Sequence, residues 1–280
     1  MQILASKQKL FSIKRLKDVE GTAIFAGKKT EVILVDNLTA NLATNNTRQI
    51  YSQIAGLNIY QNDDAGLQLN IGGRGLDPNR TSNFNTRQNN YDISADVLGY
   101  PESYYSPPSE SLSEIQVIRG AASLQYGTQF GGLVNFKTKS PNPIKPLEVV
   151  VRNTFGSNHL YTNFTSLSGT SNKLSYYAYV NYKKGNGFRP NSEFESKNIF
   201  SHFEYAFSQK SNLSIEFTYL NYLAQQAGGL NDRMFNSDPN QSVRSRNWFK
   251  VNWLLYNAKF THNFSEQTKF SFNFFGLNAS

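Results

Sequence analysis

The sequence of 280 residues contains no cysteine, which excludes disulfides, thiolate nucleophiles and thiolate metal ligands. Its only three histidines are widely spaced and form no metal-ligand pattern: His159, His202 and His262. No run of about 18 apolar residues occurs, so the sequence predicts no transmembrane helix. The N-terminus is basic but lacks the hydrophobic region and the small-residue cleavage site of a secretory signal. We therefore expect either a cytoplasmic protein or one whose true start lies upstream.

Acidic residues are fewer than basic ones, and the formal net charge is +8. A basic balance permits anionic partners such as nucleic acid, lipid phosphate or acidic small ligands, without choosing among them. The acidic pairs Asp63–Asp64 and Asp92/Asp96 are close only in sequence, and no general base stands beside a nucleophile in a catalytic motif. The sequence therefore predicts no enzyme and no cofactor.

Three prolines between residues 141 and 146 divide the chain into two parts of different composition. Of the 39 Phe, Tyr and Trp residues, 12 precede this point and 27 follow it. The second part alternates apolar and polar residues, and a period of two is typical of strands. The alternating segments are 174–182, 199–207, 213–219, 254–264 and 270–274, with weaker ones at 147–155 and 159–168. We predict about seven strands.

The connections between these strands differ in length. Short ones at 169–172, 208–212 and 265–267 contrast with long ones at 184–196 and 224–249. Short turns at one end, long loops at the other and many aromatic residues favour an outer-membrane β-barrel. A soluble antiparallel sandwich or barrel alternates in the same way and is the alternative. Seven strands cannot close a membrane barrel without an exposed edge, so the sequence is expected to stop partway through one.

The first part, residues 30–146, is predicted to be a mixed α/β unit. A helix is predicted at 45–57, ending at Gly56, because Ile50, Ile54 and Leu57 have helical spacing. The predicted strands are 30–36, 57–60, 67–71 and 111–119, the last preceded by a capping turn at Ser111.

Four motifs in this part resemble the plug domain of TonB-dependent outer-membrane receptors, with the greatest likeness to the ferric-citrate receptor type. They follow the order R-Q-I-Y-S-Q-I-A-G-L-N-I-Y (48–60), L-Q-L-N-I-G-G-R-G (67–75), D-V-L-G-Y-P (96–101) and S-E-I-Q-V-I-R-G-A-A-S-L-Q-Y-G-T-Q-F-G-G-L-V-N-F-K-T-K (113–139). In the third motif, the Asp-Gly-x-Pro turn usual for the family is lengthened. The strands that follow resemble the start of the family's barrel.

The resemblance implies an N-terminal segment at 1–29, an α+β plug domain at 30–146 and the first part of a 22-stranded antiparallel transmembrane β-barrel at 147–280, truncated here to about seven strands. It implies an importer of a ferric chelate, resembling ferric citrate, in the bacterial outer membrane. The partners would be the TonB energy-transducing complex, the chelate, outer-membrane lipid and lipopolysaccharide, with no nucleic acid. The only candidate for a TonB box, residues 19–27, is an unusual one. The alternatives are another ligand, such as cobalamin, heme or oligosaccharide, or a soluble β-rich binding protein.

The stretch 115–136 has the outline of a phosphate-binding turn, with glycines between two apolar runs. The glycines are Gly120, Gly127, Gly131 and Gly132. Their spacing fits neither G-x-G-x-x-G nor G-x-x-x-x-G-K-[ST], so we interpret them as structural glycines of tight turns. Arg74 and Arg119 each precede a glycine after a strand, and we expect both to be structural, bonded to carbonyls or to a barrel carboxylate.

Two polar segments carry the candidate ligand-binding residues. By resemblance, 76–91 holds the outward-facing loops of the plug, and the long loop 224–249 is extracellular. Arginine suits bidentate recognition of carboxylates, and asparagine offers donors and acceptors. The candidates are Asn79, Arg80, Asn83, Arg87, Arg233, Arg244 and Arg246. An ordinary solvated loop is the alternative for the first segment. Contacts with lipopolysaccharide phosphate or with other loops are the alternative for the second. Trp248 and Trp253 are predicted to join an aromatic girdle.

Overall fold

The computed structural model describes residues 14–20, 23–26, 29–61, 65–95, 102–120, 126 and 130–280. The chain forms two compact units. The first unit comprises 1–61, 69–103 and 112–138, and the second comprises 62–68, 104–111 and 139–280. Two short segments from the N-terminal half therefore belong to the second unit. The predicted boundaries at 29 and 146 stay a prediction.

The first unit is built around a five-stranded sheet with the order β3-β8-β9-β6-β7. Only the β6–β9 pair is parallel, and the other neighbours are antiparallel. Two further pairs, β1–β2 and β4–β5, lie outside this sheet. The strands are β1 Val19–Glu20, β2 Ala23–Ile24, β3 Lys29–Leu34, β4 Leu57–Ile59, β5 Ile71–Gly73, β6 Phe84–Gln88, β7 Tyr91–Asp92, β8 Leu112–Arg119 and β9 Gly132–Thr138.

The central strands β8 and β9 are buried over most of their length, on both faces. Val117 and Val134 pair directly and are fully buried. A strand covered on both faces carries apolar residues on both of them rather than on alternate positions only, and Val117 and Ile118 are such neighbours in β8. The core of this unit therefore lies around β8 and β9.

Two predicted elements of the first unit differ in the structure. The helix α1 is limited to Thr47–Ile50. The Asn46 cap stabilises its first turn, but helical propensity alone does not extend so short a helix. The strand predicted at 67–71 begins only at Ile71, because the Thr81 hydroxyl forms hydrogen bonds with the backbone of this segment. Its Oγ1 donates to the Leu69 carbonyl at 2.7 Å and accepts from the Ile71 amide at 3.2 Å.

The second unit is built on a seven-stranded antiparallel sheet whose strands lie in chain order. This confirms the predicted number of strands and their up-and-down order. The two long connections span 186–193 and 226–247, and the second contains the short helix α2, Asp232–Ser237. The strands are β10 Glu148–Gly156, β11 Leu160–Ser171, β12 Leu174–Gly185, β13 Phe194–Ala206, β14 Ser211–Gln225, β15 Trp248–Asn263 and β16 Lys269–Ala279.

The two faces of this sheet are inverted relative to those of a soluble protein. On β14, Phe217 is 50% exposed, whereas its neighbours Glu216 and Thr218 are 4% and 0% exposed. A soluble antiparallel sheet would bury the apolar row and expose the polar one. An outward-facing apolar row on tilted antiparallel strands is typical of outer-membrane barrels. Among the described residues, no helix is long and apolar enough to cross a membrane.

Candidate ligand site

The loop after β5 folds tightly back on its own strand. A Cβ atom at Gly72 would lie 2.2 Å from the Leu76 carbonyl oxygen, so only glycine permits this approach. Asp77 accepts from the Asn79 amide at 3.0 Å, and its carbonyl accepts from Asn83 Nδ2 at 3.1 Å. The Asn79 side chain is exposed and that of Asn83 is half-buried. The loop is therefore fixed by local bonds.

Arg80 lies in this loop in the left-handed region, with a φ of 49°. Its amide donates to Asn70 Oδ1 at 2.8 Å, and its carbonyl accepts from the Ser103 amide at 2.8 Å. Its Nη1 lies 3.0 Å from Glu102 Oε2, and the two side chains are 31% and 23% exposed. The guanidinium therefore reaches water but already has an anionic partner.

Arg87 is enclosed, with only 13% of its side chain exposed. Its Nε donates to Asn85 Oδ1 at 2.8 Å and its Nη1 to the Asn90 carbonyl at 2.8 Å. Nη2 lies 3.6 Å from Asp92 Oδ2, and the guanidinium carbon lies 4.8 Å from the centroid of the Tyr126 ring. Burial lowers the pKa of Arg87, and Asp92 and Tyr126 oppose that shift. These bonds join β6, β7 and their turn.

The three arginines of the loop 226–247 are placed differently. Arg233, Arg244 and Arg246 are all exposed. Over the described ranges of the chain, no side-chain hydrogen bond or ion pair engages any of these three guanidinium groups. They lie in one loop at the long-connection end of the sheet, where they are available to an external anion.

The loop is held in place by Arg189, which lies in the other long connection. Arg189 Nε donates to the Gln241 carbonyl at 3.0 Å, and Nη2 donates to the carbonyls of Ala227 at 3.4 Å and Gly228 at 2.8 Å. Gly228 has a φ of 82°, and a Cβ there would lie 2.7 Å from a methyl group of Val243. We call Arg189 and these three carbonyls the loop clamp.

Further bonds join the same two connections. Asn191 Nδ2 donates to Ser242 Oγ at 2.8 Å, and the Gln225 amide donates to the Glu193 carbonyl at 2.7 Å. The loop clamp therefore belongs to a network that orders the backbone beneath the exposed arginines. Sequence reasoning missed Arg189, because a lone arginine in a polar connection gives no signal of its carbonyl partners.

Arg119 and Arg74 have contrasting surroundings. Arg119 is buried, forms an ion pair with Glu31 and donates from Nη1 to the Ala55 carbonyl at 2.9 Å. Its carboxylate partner belongs to β3 of the same unit rather than to the barrel strands. Arg74 is exposed and has a φ of 59°, and a Cβ at Gly120 would lie 3.3 Å from its Nη2.

Two of the glycines of 115–136, Gly131 and Gly132, lie at close backbone approaches, whereas Gly120 has a φ of 74° and lies near the Arg74 side chain. A Cβ at Gly132, whose φ is 124°, would lie 2.3 Å from the Ile118 carbonyl oxygen. A Cβ at Gly131 would lie 2.6 Å from that of Asn83. Gly127 lies outside the described residues, as do the Asp96–Pro101 turn and the Asp63–Asp64 pair. In the described part of the chain, no cluster of acidic and histidine side chains is arranged to hold a metal ion.

The girdle prediction is wrong for one of the two tryptophans. Trp248 is half-exposed, but Trp253 is 2% exposed and contacts Tyr104, with ring centroids 6.2 Å apart. Trp253 shares its face of β15 with the fully buried Leu255, since residues two apart point the same way. Trp253 has the opposite parity to the apolar row at 254–264, and this difference could have assigned it to the other face of the strand.

Comparison with known proteins identifies the fold. Residues 26–133 match the family described as TonB-dependent Receptor Plug Domain. The unliganded ferric citrate transporter FecA is similar at a TM-score of 0.77 and 22% identity, over 91% of this chain and 40% of that one. The ferric-catecholate import receptor Fiu from E. coli K12, in its open form, gives 0.68 and 14%, over 90% and 38%.

A third solved structure, the siderophore receptor PirA from Acinetobacter baumannii, gives a TM-score of 0.61 and 16% identity, over 87% of this chain and 39% of that one. No curated protein sequence matches the chain. The chain spans about 40% of the length of these solved structures. The expected plug and the start of an antiparallel barrel sheet are thereby confirmed as the fold.

Proposed function

We propose that this chain, whose residues 26–133 match the TonB-dependent receptor plug family, belongs to an outer-membrane importer of an anionic ferric chelate resembling ferric citrate. One observation carries the choice of an anion: three exposed, unpaired arginines lie in a loop that the loop clamp holds in place. Guanidinium groups bind carboxylates by paired hydrogen bonds, and a fixed loop loses less entropy on binding than a mobile one.

The support for direct contact with the ligand differs among the candidate residues. Arg233, Arg244 and Arg246 are proposed to bind the chelate from the long loop, and Arg80 from the loop after β5, with Asn79 and Asn83 as further hydrogen-bonding groups. For Arg87, the enclosed geometry supports a role in fixing β6 and β7 rather than direct contact. The formal net charge of +8 favours capture of an anion over that of a cation.

The proposed location and partners follow from the same fold. The exposed apolar row of the seven-stranded sheet supports a place in the outer membrane, against lipid and lipopolysaccharide. The plug fold supports TonB as the source of energy. A receptor of this architecture for another ligand is the alternative, because the similar solved structures include a copper transporter as well as a ferric-catecholate import receptor.

The test is binding of ferric citrate to the receptor expressed from its natural gene. The triple variant Arg233→Ala, Arg244→Ala and Arg246→Ala is expected to bind about tenfold or more weakly, since each charge-assisted contact contributes about 1–2 kcal/mol. Lys269→Ala, which removes an exposed cation beside the short turn at the other end of β15, is the matched control and should leave affinity unchanged. Unchanged affinity of the triple variant for ferric citrate and for other anionic ferric chelates would contradict the assignment.

Growth of a deletion strain on single sources of iron, cobalamin or heme separates the alternatives. Growth defects restricted to an anionic ferric chelate are expected. A defect only with cobalamin, heme or an oligosaccharide would replace the ligand and keep the architecture.

A further inference from the structure

The ion pair between Arg80 and Glu102 is neither fully buried nor fully exposed. One Nη1 to Oε2 contact of 3.0 Å joins the groups, and roughly a quarter to a third of each side chain is exposed. Breaking a fully buried pair is strongly destabilising, whereas an exposed pair contributes little. A half-exposed pair is stable enough to form in the free protein and weak enough for an external anion to replace.

The backbone of Arg80 is fixed without the Glu102 carboxylate. Arg80 and Thr81 are consecutive non-glycine residues with φ values of 49° and 56°. This conformation costs about 1–2 kcal/mol per residue, so other bonds must impose it. Asn70 Oδ1 holds the Arg80 amide, the Ser103 amide holds its carbonyl, and Thr81 Oγ1 bonds to the backbone on either side of Asn70. Replacing the Glu102 carboxylate therefore removes this ion pair without releasing the loop.

We propose that Glu102 is a specificity-determining residue, whose carboxylate occupies Arg80 until an anionic ligand takes its place. The proposal rests on the proposed function, in which Arg80 contacts the chelate. A ligand with carboxylates exchanges one anionic partner of Arg80 for another, so the charge stays balanced. A neutral chelate offers no replacement for Glu102 and gains nothing from Arg80. Glu102 thus sets a minimum negative charge that a ligand needs in order to use this arginine.

The contrast with Arg87 supports the assignment to Arg80. Arg87 is bonded through Nε and Nη1 to an amide oxygen and a carbonyl, and it also faces an aromatic ring. An external anion would have to displace several partners there. At Arg80, the half-exposed Glu102 carboxylate is a group that a carboxylate ligand can replace like for like.

The experiment is Glu102→Gln in the receptor expressed from its natural gene, titrated with ferric citrate and with a neutral ferric trihydroxamate. Glutamine keeps the size and a carbonyl oxygen for Arg80 but removes the competing charge. We expect ferric citrate to bind about threefold to fivefold tighter, the range that corresponds to a pair worth up to about 1 kcal/mol. Affinity for the neutral chelate should stay within about twofold, since no charge is exchanged.

The control is the same change in an Arg80→Ala background, where the gain for ferric citrate should vanish because the two residues act as a pair. If Arg80→Ala weakens ferric citrate binding but Glu102→Gln leaves it unchanged or weaker, Glu102 has a structural role and the inference is wrong. If Arg80→Ala changes binding of no anionic chelate, the contact proposed for Arg80 itself fails, and the inference fails with it. The two failures are therefore distinguishable.

Discussion

The two sheets of this chain use the same strand geometry with opposite rules of burial. Val117 in β8 is 0% exposed, whereas Val180, in the middle of β12, is 46% exposed. In the first unit an apolar side chain points into protein. In the second, the buried row mixes polar side chains such as Thr218 and Asn257 with aromatic ones such as Phe200, while apolar side chains such as Phe217 form the exposed row. Alternation therefore identifies a strand, but it does not say which row faces the interior.

The surroundings of each sheet decide which side chains of its alternating pattern are buried and which are exposed. β8 has strands on both sides and is buried from Ile115 to Arg119, so apolar side chains such as Val117 and Ile118 occupy both of its faces. The apolar row of the larger sheet is exposed over the described residues, as expected for strands that face lipid in the proposed membrane setting.

The largest effect is expected for Val117→Lys in the smaller sheet. A lysine there would place a charge in a fully buried position, opposite a Glu31 that is already paired with Arg119, at a cost of about 5 kcal/mol or more. Hydrogen exchange of the β8 and β9 amides should show that the first unit opens. Val117→Ala is the size control and should cost about 1–3 kcal/mol. Retained protection in the lysine variant would mean that β8 is not the centre of a core.

Arg119→Ala is expected to cost about 3–5 kcal/mol, because it leaves Glu31 buried without its partner and the Ala55 carbonyl without a donor. Arg74→Ala is the matched control, since this exposed arginine also precedes a glycine, and its cost should stay within about 0.5 kcal/mol. Urea unfolding followed by hydrogen exchange in the first unit measures both. Equal effects would show that the buried ion pair adds no stability.

Val180→Lys makes the same substitution in the larger sheet. Near the middle of a lipid-facing strand it should cost about 2–4 kcal/mol, less than at Val117, and nearly nothing at a water-facing position. Unfolding in lipid vesicles gives the value. Val180→Leu, which keeps the row apolar, should be close to neutral. A lysine variant that is fully stable in vesicles would show that this row does not face lipid.

The smallest effect is expected from the titration of Tyr105, which is fully buried. Burial raises the pKa of Tyr105 to about 12, from an ordinary value of 10.0. The neutral phenol is therefore favoured in the folded state, so this stabilisation is complete below pH 10 and is lost as pH rises from 10 towards 12. We expect a loss of about 2 kcal/mol over that window. Tyr105→Phe should remove one late phase of tyrosinate absorbance, near pH 12, and this part of the pH dependence. A Tyr105 that titrates with the exposed tyrosines would contradict its burial.

Much of the fold was predictable because its signals are long and local. Strands of 9 to 16 residues repeat the period-two pattern enough times to be recognised. The short elements of the first unit were less predictable. The strand near Leu69 is displaced by the hydroxyl of Thr81, twelve residues away, and no local pattern announces that bond.

The candidate residues were predictable by type but not by environment. Arg80 and Arg87 lie seven residues apart in one polar segment, yet one is half-exposed with a single carboxylate and the other is enclosed. Arg189 was missed since its partners are backbone carbonyls 38 to 52 residues away, and a carbonyl is present at every position. Long-range pairing, rather than composition, separates these three arginines.

The loop clamp also bears on how the loop 226–247 can evolve. Its acceptors are the carbonyls of Ala227, Gly228 and Gln241, which every amino acid supplies. Side chains elsewhere in the loop can therefore be exchanged without loss of the anchorage, provided that Gly228 keeps its left-handed backbone. Related chains can thus change the chemistry of this loop in single steps while its backbone keeps the same anchorage to Arg189.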